Sequence, residues 1–183
     1  MLKAPDMFSR RHGPNLVRLG PLDRARVLDH FLALDGDARL LRFGMSYSDD
    51  AVRRYVQRLN FESDLLLGWT NHFRELVGVV HLARINAHAV EFSISMARGW
   101  RGRGHGQDVT ELALAEAARH GYQLAHVQFM QCNRPMGAIM DHYTAARERD
   151  GTEHLVEVPL PAVLSRPLRA QLGPFIPSTL AFA

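Results

Sequence analysis

Cysteine, lysine, net charge and long apolar runs are all scarce in this 183-residue sequence. The single cysteine, Cys132, excludes a disulfide within the chain and is typical of a reducing compartment, which predicts a cytoplasmic location. No run approaches the roughly 18 apolar residues of a membrane span, and the N-terminal residues lack the apolar core of a secretory signal, so no membrane partner is expected. A formal charge of +3 is too small to indicate a nucleic-acid partner.

Arginine carries nearly all of the positive charge, since Lys3 is the only lysine. Its planar guanidinium group suits bidentate binding of phosphates and carboxylates. The length and the 46% apolar content are those of one globular domain that buries its own core. We expect this domain to span residues 1–183, with a core at about 15–160 and a C-terminal tail over 161–183.

Hydrophobic periodicity predicts the element order β-α-α-β-β-β-α-β-α-β, which indicates an α/β fold with one mixed sheet. The predicted strands are 15–20, 63–70, 75–83, 89–97, 122–130 and 152–160. The predicted helices are about 22–34, a segment capped by Ser48 that runs to Leu59, about 105–120, which Gly121 ends, and 134–146. The strand at 89–97 alternates, with Val90, Phe92, Ile94 and Met96 on one face and Glu91, Ser93 and Ser95 on the other.

Residues 98–107, RGWRGRGHGQ, join this alternating strand to the helix that follows. A helix N-terminus has unpaired N–H groups and a partial positive charge. Glycines let a phosphate approach those groups without meeting a Cβ, and arginines add charge-assisted hydrogen bonds. The stretch therefore predicts a pyrophosphate site, and its alternative is a capping loop that is rich in glycine by chance. A Walker loop is excluded because no Gly-Lys-Ser/Thr follows, and a Rossmann glycine pattern fits poorly.

The segment MARGWRGRGHG resembles the acetyl-CoA-binding motif of the GNAT acetyltransferase superfamily, Arg/Gln-x-x-Gly-x-Gly/Ala. Arg101, Gly104 and Gly106 stand at the motif positions. The likeness extends over about 75–160, where Asn133 matches an asparagine that commonly opens the next helix. A shorter stretch, DARLLRFG, is weakly similar to bacterial protein-lysine acetyltransferases.

The resemblance implies a single, mostly antiparallel sheet with a V-shaped splay between two central strands. Acetyl-CoA would be the co-substrate: one strand would pair with its pantetheine arm, and the loop N–H groups would hold its pyrophosphate. Asn133 would lie near the thioester end. The residues implied to bind acetyl-CoA are Ile94, Met96, Arg101, Gly102, Arg103, Gly104, His105, Gly106, Gln107 and Asn133.

Two residues are candidates for catalysis. Glu91 lies on the polar face of the strand before the loop, as a glutamate does in many GNAT enzymes, and could act as the base for an acceptor amine; its alternative is an exposed carboxylate on the sheet. Many relatives carry a tyrosine seven residues after the asparagine, but Met140 occupies that position here. Tyr143 is the candidate general acid and His142 a weaker one, while a core position is the alternative for Tyr143.

The acceptor is the part of the reaction that the sequence indicates least. The segment DGDARLLRFGMSYSDD corresponds to the acceptor side in this fold, so Arg42 and Phe43 are candidate substrate contacts, and an ordinary surface charge is the alternative for Arg42. The acceptor would be a small-molecule or protein amine. The histidines form no metal-binding pair at helix or strand spacing, so no metal is expected. The tail, which ends FIPSTLAFA, is predicted to pack on the sheet or across a homodimer interface.

Three functions follow from these observations. The leading one is an acyl-CoA-dependent N-acyltransferase that moves an acetyl group to an amine by direct attack. The alternative is a non-catalytic CoA-binding sensor or regulatory module on the same fold, because Met140 stands at the tyrosine position. A nucleic-acid-binding module built on the Arg-Gly loop is the third.

Overall fold

The computed structural model describes residues 15–143 and 147–160, which form a seven-stranded sheet and five α-helices. The strands are β1 (Asn15–Arg18), β2 (Leu65–Thr70), β3 (Leu76–Arg84), β4 (Ala89–Met96), β5 (Leu124–Met130), β6 (Arg147–Asp150) and β7 (Glu153–Pro159). The helices are α1 (Arg24–Leu32), α2 (Gly36–Phe43), α3 (Asp49–Arg58), α4 (His105–Arg119) and α5 (Arg134–Met140). All six predicted strands and all four predicted helices are confirmed, with bounds shifted by a few residues.

The sheet is mixed but mostly antiparallel, with strand order β1-β2-β3-β4-β5-β7-β6. Only β4 and β5 run parallel to each other. Their pairing covers Ala89–Glu91 against Leu124–His126, so the two strands separate beyond Glu91. Residues 92–96 of β4 and 127–130 of β5 bound the resulting gap, which we call the wedge. The expected splay between two central strands is confirmed.

Each face of the sheet has its own hydrophobic core. The face under α4 and α5, the α4 face, receives the apolar side chains of β4, as the alternation predicts; they are Val90, Phe92 and Met96, with Ile94 packed against them. The opposite face, the α1 face, is covered by α1 and α3, whose core includes Phe31 and Val56. Glu91, Ser93 and Ser95 therefore point toward the α1 face.

The sequence predicts neither α2 nor β6. Helix α2 buries none of its residues fully, and it starts at a cap, where Asp35 Oδ1 accepts from the N–H of Ala38 at 2.9 Å. Strand β6 reads RERD and is exposed along its whole length, so it exists only because it pairs with β7. The helix predicted over 134–146 ends at Met140, and residues 144–146 lie outside the described ranges.

No helix within residues 15–143 and 147–160 is long and apolar enough to cross a membrane. The predicted packing of the tail lies outside the described residues, as does the whole of 161–183.

Candidate active site

The loop before α4 presents a row of unused backbone donors. Gly102 and Gly104 have φ values of 69° and 85°, a left-handed conformation that favours glycine. In the described part of the chain, the N–H groups of residues 102–106 donate to no acceptor. No atom lies within 4 Å of a Cβ built on Gly102 or Gly104, so the space beside the loop is open. Such a loop at the positive end of a helix dipole suits a phosphate or pyrophosphate.

Gln107 differs from the expectation that loop residues up to 107 would act through their N–H groups, and the His105 side chain has a role of its own. The Gln107 N–H already donates to the Gly104 carbonyl at 3.0 Å, so it is not available as a phosphate donor. The His105 ring lies between the indoles of Trp69 and Trp100, with centroid distances of 6.3 and 4.9 Å. Its side chain therefore packs under the loop, with a buried Nδ1 that has no described partner. Gly106 lies in the first turn of α4, and the Arg103 side chain is exposed.

The backbone of β4 directs donors into the wedge. The Ala97 N–H donates to the Val77 carbonyl of β3 at 2.8 Å. Because N–H groups alternate along an antiparallel strand, those of Ile94 and Met96 point away from β3. They lie beyond the last pairing with β5, so they face the wedge. An extended arm placed in the wedge would find the same donors that a neighbouring strand would use.

Arg101 supports the loop from inside the protein. Its Nε donates to the Met96 carbonyl at 2.8 Å, and its Nη1 bonds Asp35 Oδ2 at 2.8 Å. The pKa of Asp35 is held below its usual value by the Ala38 N–H and then by Arg101. Two of the three guanidinium nitrogens are therefore occupied within the chain, and Nη2 is buried without a described partner. The motif arginine links the loop at residues 98–107 to the N-terminus of α2. We call this loop the phosphate loop, after the ligand proposed for it below.

Asn133 begins α5 as the resemblance implies. Its Oδ1 accepts from the Met136 N–H at 3.2 Å, so this side chain caps the helix. Met140 is almost fully buried in the α4-face core, and Tyr143 is buried in the same core one turn later. His142 is exposed beside it. Tyr143 thus lies on the core side of α5, which is also the position expected of a structural aromatic.

Glu91 lies where β4 and β5 part. It is exposed, and it is the last β4 residue paired with β5, opposite His126. His126 Nδ1 in turn lies 3.4 Å from Glu157 Oε1 on β7. These three titratable side chains form a row across neighbouring strands on the α1 face. A carboxylate in this position is open to solvent at the apex of the wedge.

Arg42 is not an ordinary surface charge, which corrects the alternative given from the sequence. Its guanidinium lies over three aromatic rings, with distances to the centroids of 5.5 Å for Phe31, 5.0 Å for Phe43 and 5.4 Å for Tyr55. Its Nη2 donates to the Tyr55 hydroxyl at 2.7 Å, and its Nε is buried without a described partner. Phe43 also stacks on Tyr47, with 4.4 Å between ring centroids. Phe31 of α1, Arg42 and Phe43 of α2, Tyr55 of α3 and Tyr47, which lies just before α3, together form what we call the roof, over the α1 face.

Beneath the roof, His81 forms hydrogen bonds with Asp64 and Tyr55 that the sequence does not predict. His81 on β3 bonds Asp64 Oδ2 through Nε2 at 2.8 Å and the Tyr55 hydroxyl through Nδ1 at 2.8 Å. Burial lowers the pKa of His81, and the hydrogen bond that its Nε2–H donates to Asp64 opposes this effect. His81 stands in an apolar run, VGVVHLA, and Tyr55 at a helical apolar position, so no local signal marks them as partners. Only the contact between β3 and α3 brings them together.

A second buried histidine lies on the same face. His30 Nε2 is 2.9 Å from Ser95 Oγ, and both residues are buried. Burial lowers the pKa of His30 from 6.5 to about 4, and the charges of Arg42 and Arg101 act in the same direction. An arginine of the roof and an arginine of the phosphate loop therefore both help to lower the pKa of His30. Among the described residues, no group of three or more His, Cys, Asp or Glu side chains could hold a metal ion.

Comparison with known proteins gives a fold but no sequence family. No protein-family model matches the chain, and no curated protein sequence does. Among solved structures, the GNAT domain of S. lividans PAT matches with a TM-score of 0.68 and 18% identity, over 80% of this chain and 90% of that one. Spermidine N-acetyltransferase from Vibrio cholerae, in complex with CoA and spermine, matches with a TM-score of 0.65 and 16% identity, over 82% and 98%.

A GNAT-family acetyltransferase from Bacillus anthracis has a TM-score of 0.61 and 13% identity, over 80% of this chain and 94% of its own. The structural neighbours are thus N-acetyltransferases of the GNAT fold, and the chain has that fold. At these identities the likeness extends to the fold and not to a subfamily.

Proposed function

We propose that this GNAT-fold protein transfers an acetyl group from acetyl-CoA to an amine. The observation that carries the proposal is the row of unpaired N–H groups over residues 102–106, next to an open wedge with further inward-facing donors. Backbone groups left without partners usually find water or a ligand, and here they converge at a helix N-terminus. Because the chain has the GNAT fold, acetyl-CoA is the ligand that we expect at this loop.

The residues divide the ligand between them. The N–H groups of residues 102–106 would hold the pyrophosphate, and those of Ile94 and Met96 would pair with the pantetheine arm. Arg101 keeps the loop in place through Met96 and Asp35 rather than contacting the phosphate with its full guanidinium. Asn133, which caps α5 beside the end of β5, would lie near the thioester. Bound acetyl-CoA supplies an acyl group activated as a thioester, which a neutral amine attacks directly.

Glu91 is the proposed base. A lysine-like amine with a pKa of about 10.4 is protonated at pH 7, and removing that proton costs roughly 4–5 kcal/mol. An exposed carboxylate at the apex of the wedge can accept the proton, directly or through water. The GNAT motif position for the general acid holds Met140, so Tyr143 remains the proposed donor to the leaving thiolate. We propose a small-molecule or protein amine as acceptor; among the neighbours, the Vibrio enzyme is a spermidine N-acetyltransferase.

Calorimetry with CoA and a thiol-release screen of polyamines, lysine peptides, aromatic amines and amino acids test this proposal. We expect CoA to bind and at least one amine class to be turned over. Glu91→Gln should keep the CoA affinity within about twofold and lower kcat by about 10²–10⁴, with partial recovery at high pH, where more amine is already neutral. Glu62→Gln, which changes an exposed carboxylate in the turn before β2, is the matched control and should match the wild type.

A second candidate is a CoA-binding sensor without catalysis, which Met140 favours because it removes the tyrosine that many GNAT enzymes carry. CoA binding without turnover of any amine in the screen would support it. Absence of CoA binding would contradict both candidates.

A further inference from the structure

A continuous chain of hydrogen bonds runs beneath the roof. Asp64 Oδ2 lies 2.8 Å from His81 Nε2, and His81 Nδ1 lies 2.8 Å from the Tyr55 hydroxyl. Arg42 Nη2 donates to the same hydroxyl at 2.7 Å. The chain joins helix α2, helix α3, the turn before β2 and strand β3, which are four separate elements within residues 36–84.

The chemistry of the end groups fixes where the protons lie. Arginine can only donate, and an ionised aspartate can only accept. His81 therefore carries its proton on Nε2, toward Asp64, and its Nδ1 is free to accept. The Tyr55 hydroxyl accepts from Arg42 and donates its own proton to His81 Nδ1. Both bonds pull on the phenol in the same sense: the cation stabilises negative charge on its oxygen, and the imidazole holds its proton.

This chain lies next to the proposed base. His81 pairs in register with Ser93 on β4, and Glu91, two residues earlier on that strand, points to the same face. The charged or titratable groups that act on His81 come from each packed element: Asp64 before β2, Tyr55 on α3, Arg42 on α2 and Glu91 on β4. Burial lowers the pKa of the imidazole, which favours its neutral form, and a neutral ring with Nε2–H directed at Asp64 has Nδ1 available to accept a proton.

We propose that Asp64, His81 and Tyr55 form a proton relay. The relay accepts the proton of the acceptor amine as a second route beside Glu91. The inference rests on the proposed function. In the relay, an N–H bond of the ammonium breaks and its proton bonds to the Tyr55 oxygen, directly or through water. The original hydroxyl proton of Tyr55 moves at the same time to His81 Nδ1. The positive charge thus passes from the ammonium to an imidazolium beside Asp64, and this imidazolium returns its proton to solvent after product release.

The decisive variant is Tyr55→Phe. It keeps the ring that packs edge-on against Phe31 and Phe43 and removes only the hydroxyl. With an acceptor found in the screen, we expect kcat to fall at least about tenfold near pH 7, with CoA affinity unchanged. The deficit should shrink as the pH approaches the pKa of the amine, which loss of a structural contact would not cause. Tyr122→Phe is the control, because the Tyr122 hydroxyl has no hydrogen-bond partner among the described residues and its ring packs against the α4-face core, on the other side of the sheet from the roof.

Nitrogen-15 NMR of the histidines tests the relay without turnover. We expect His81 to be the neutral Nε2–H tautomer at pH 7, with an Nδ1 shift that changes in Tyr55→Phe and not in Tyr122→Phe. An Nδ1–H tautomer would overturn the relay even in a fully active enzyme. Wild-type kcat and pH profile in Tyr55→Phe would also overturn the relay while leaving the acetyltransferase proposal standing. A wild-type protein that binds CoA but acetylates nothing would overturn the proposed function itself, and the relay with it.

Discussion

The phosphate loop and the roof are built in opposite ways. The loop is one stretch, residues 98–107, whose main-chain donors are left unpaired and whose glycines leave open space. The roof and the Asp64–His81 pair beneath it are made of side chains from several separate segments, and their polar groups are largely paired with one another. The loop therefore has binding capacity to offer a ligand, whereas the roof offers a shaped and internally bonded surface. Binding by backbone leaves a local signature in the sequence, and binding by assembled side chains does not.

The first way to sharpen this comparison is to titrate His30, which both regions act on. Its pKa is lowered from 6.5 to about 4 in the folded protein, so the unfolded chain binds more protons between these two values. Stability from a neutral buried histidine is fully present above about pH 6.5 and is lost as the pH falls toward 4. At about 1.4 kcal/mol per pH unit, the loss is about 3 kcal/mol at pH 4.

Denaturant unfolding of the wild type and of His30→Gln between pH 7.5 and 4 measures this loss. Glutamine keeps a hydrogen-bonding group for Ser95 but does not titrate. The difference in unfolding free energy between the two proteins should change by about 3 kcal/mol across this range, because other titrating groups cancel. Parallel curves would mean that the pKa of His30 is the same in the folded and unfolded states, and that the α1 face is wetter than its burial indicates.

The second prediction tests whether the loop binds through open backbone. Gly104→Val places a branched side chain in the space beside the unpaired N–H groups and should weaken CoA binding at least about tenfold, or about 1.4 kcal/mol. The positive φ of 85° also strains any residue with a Cβ. Gly121→Val is the control, since Gly121 has a φ of 88° and equally open surroundings at the other end of α4. Equal CoA affinities in the two variants, measured by calorimetry, would contradict the assignment of the loop.

The same contrast explains what could be predicted from the sequence. The elements with strong periodicity or caps were predicted correctly: Ser48 caps α3, Gly121 ends α4 with a left-handed φ, and Asn133 caps α5. Helix α2 was missed because it buries no residue fully, and β6 because its four exposed polar residues carry no apolar pattern. Both depend on tertiary partners for their existence.

The site follows the same rule. The loop could be located from residues adjacent in the chain, and the expected roles of Ile94 and Met96 came from the resemblance to the GNAT superfamily. Tyr55 and His81 could not be located in this way. Each fits an apolar pattern on its own element and gains a polar role only through contact with the other. The second role of Arg101, as the partner of Asp35, depends on where α2 begins, and α2 was itself not predicted.

The last and smallest prediction concerns that link between the two regions. Asp35→Asn keeps an oxygen to cap α2 but removes the charge that Arg101 Nη1 meets at 2.8 Å. The pair is half exposed, so we expect a loss below about 1 kcal/mol in unfolding free energy at low salt, and none at about 1 M salt. CoA affinity should fall by less than about fivefold, because Arg101 still holds Met96 through Nε. Asp50→Asn, which breaks an exposed pair with Arg53 at the start of α3, should leave CoA affinity unchanged.

If Asp35→Asn also leaves CoA affinity unchanged at low salt, the loop and the roof bind their ligands independently. A measurable loss that disappears with salt would instead mean that the first turn of α2 helps to hold the phosphate loop in its binding conformation.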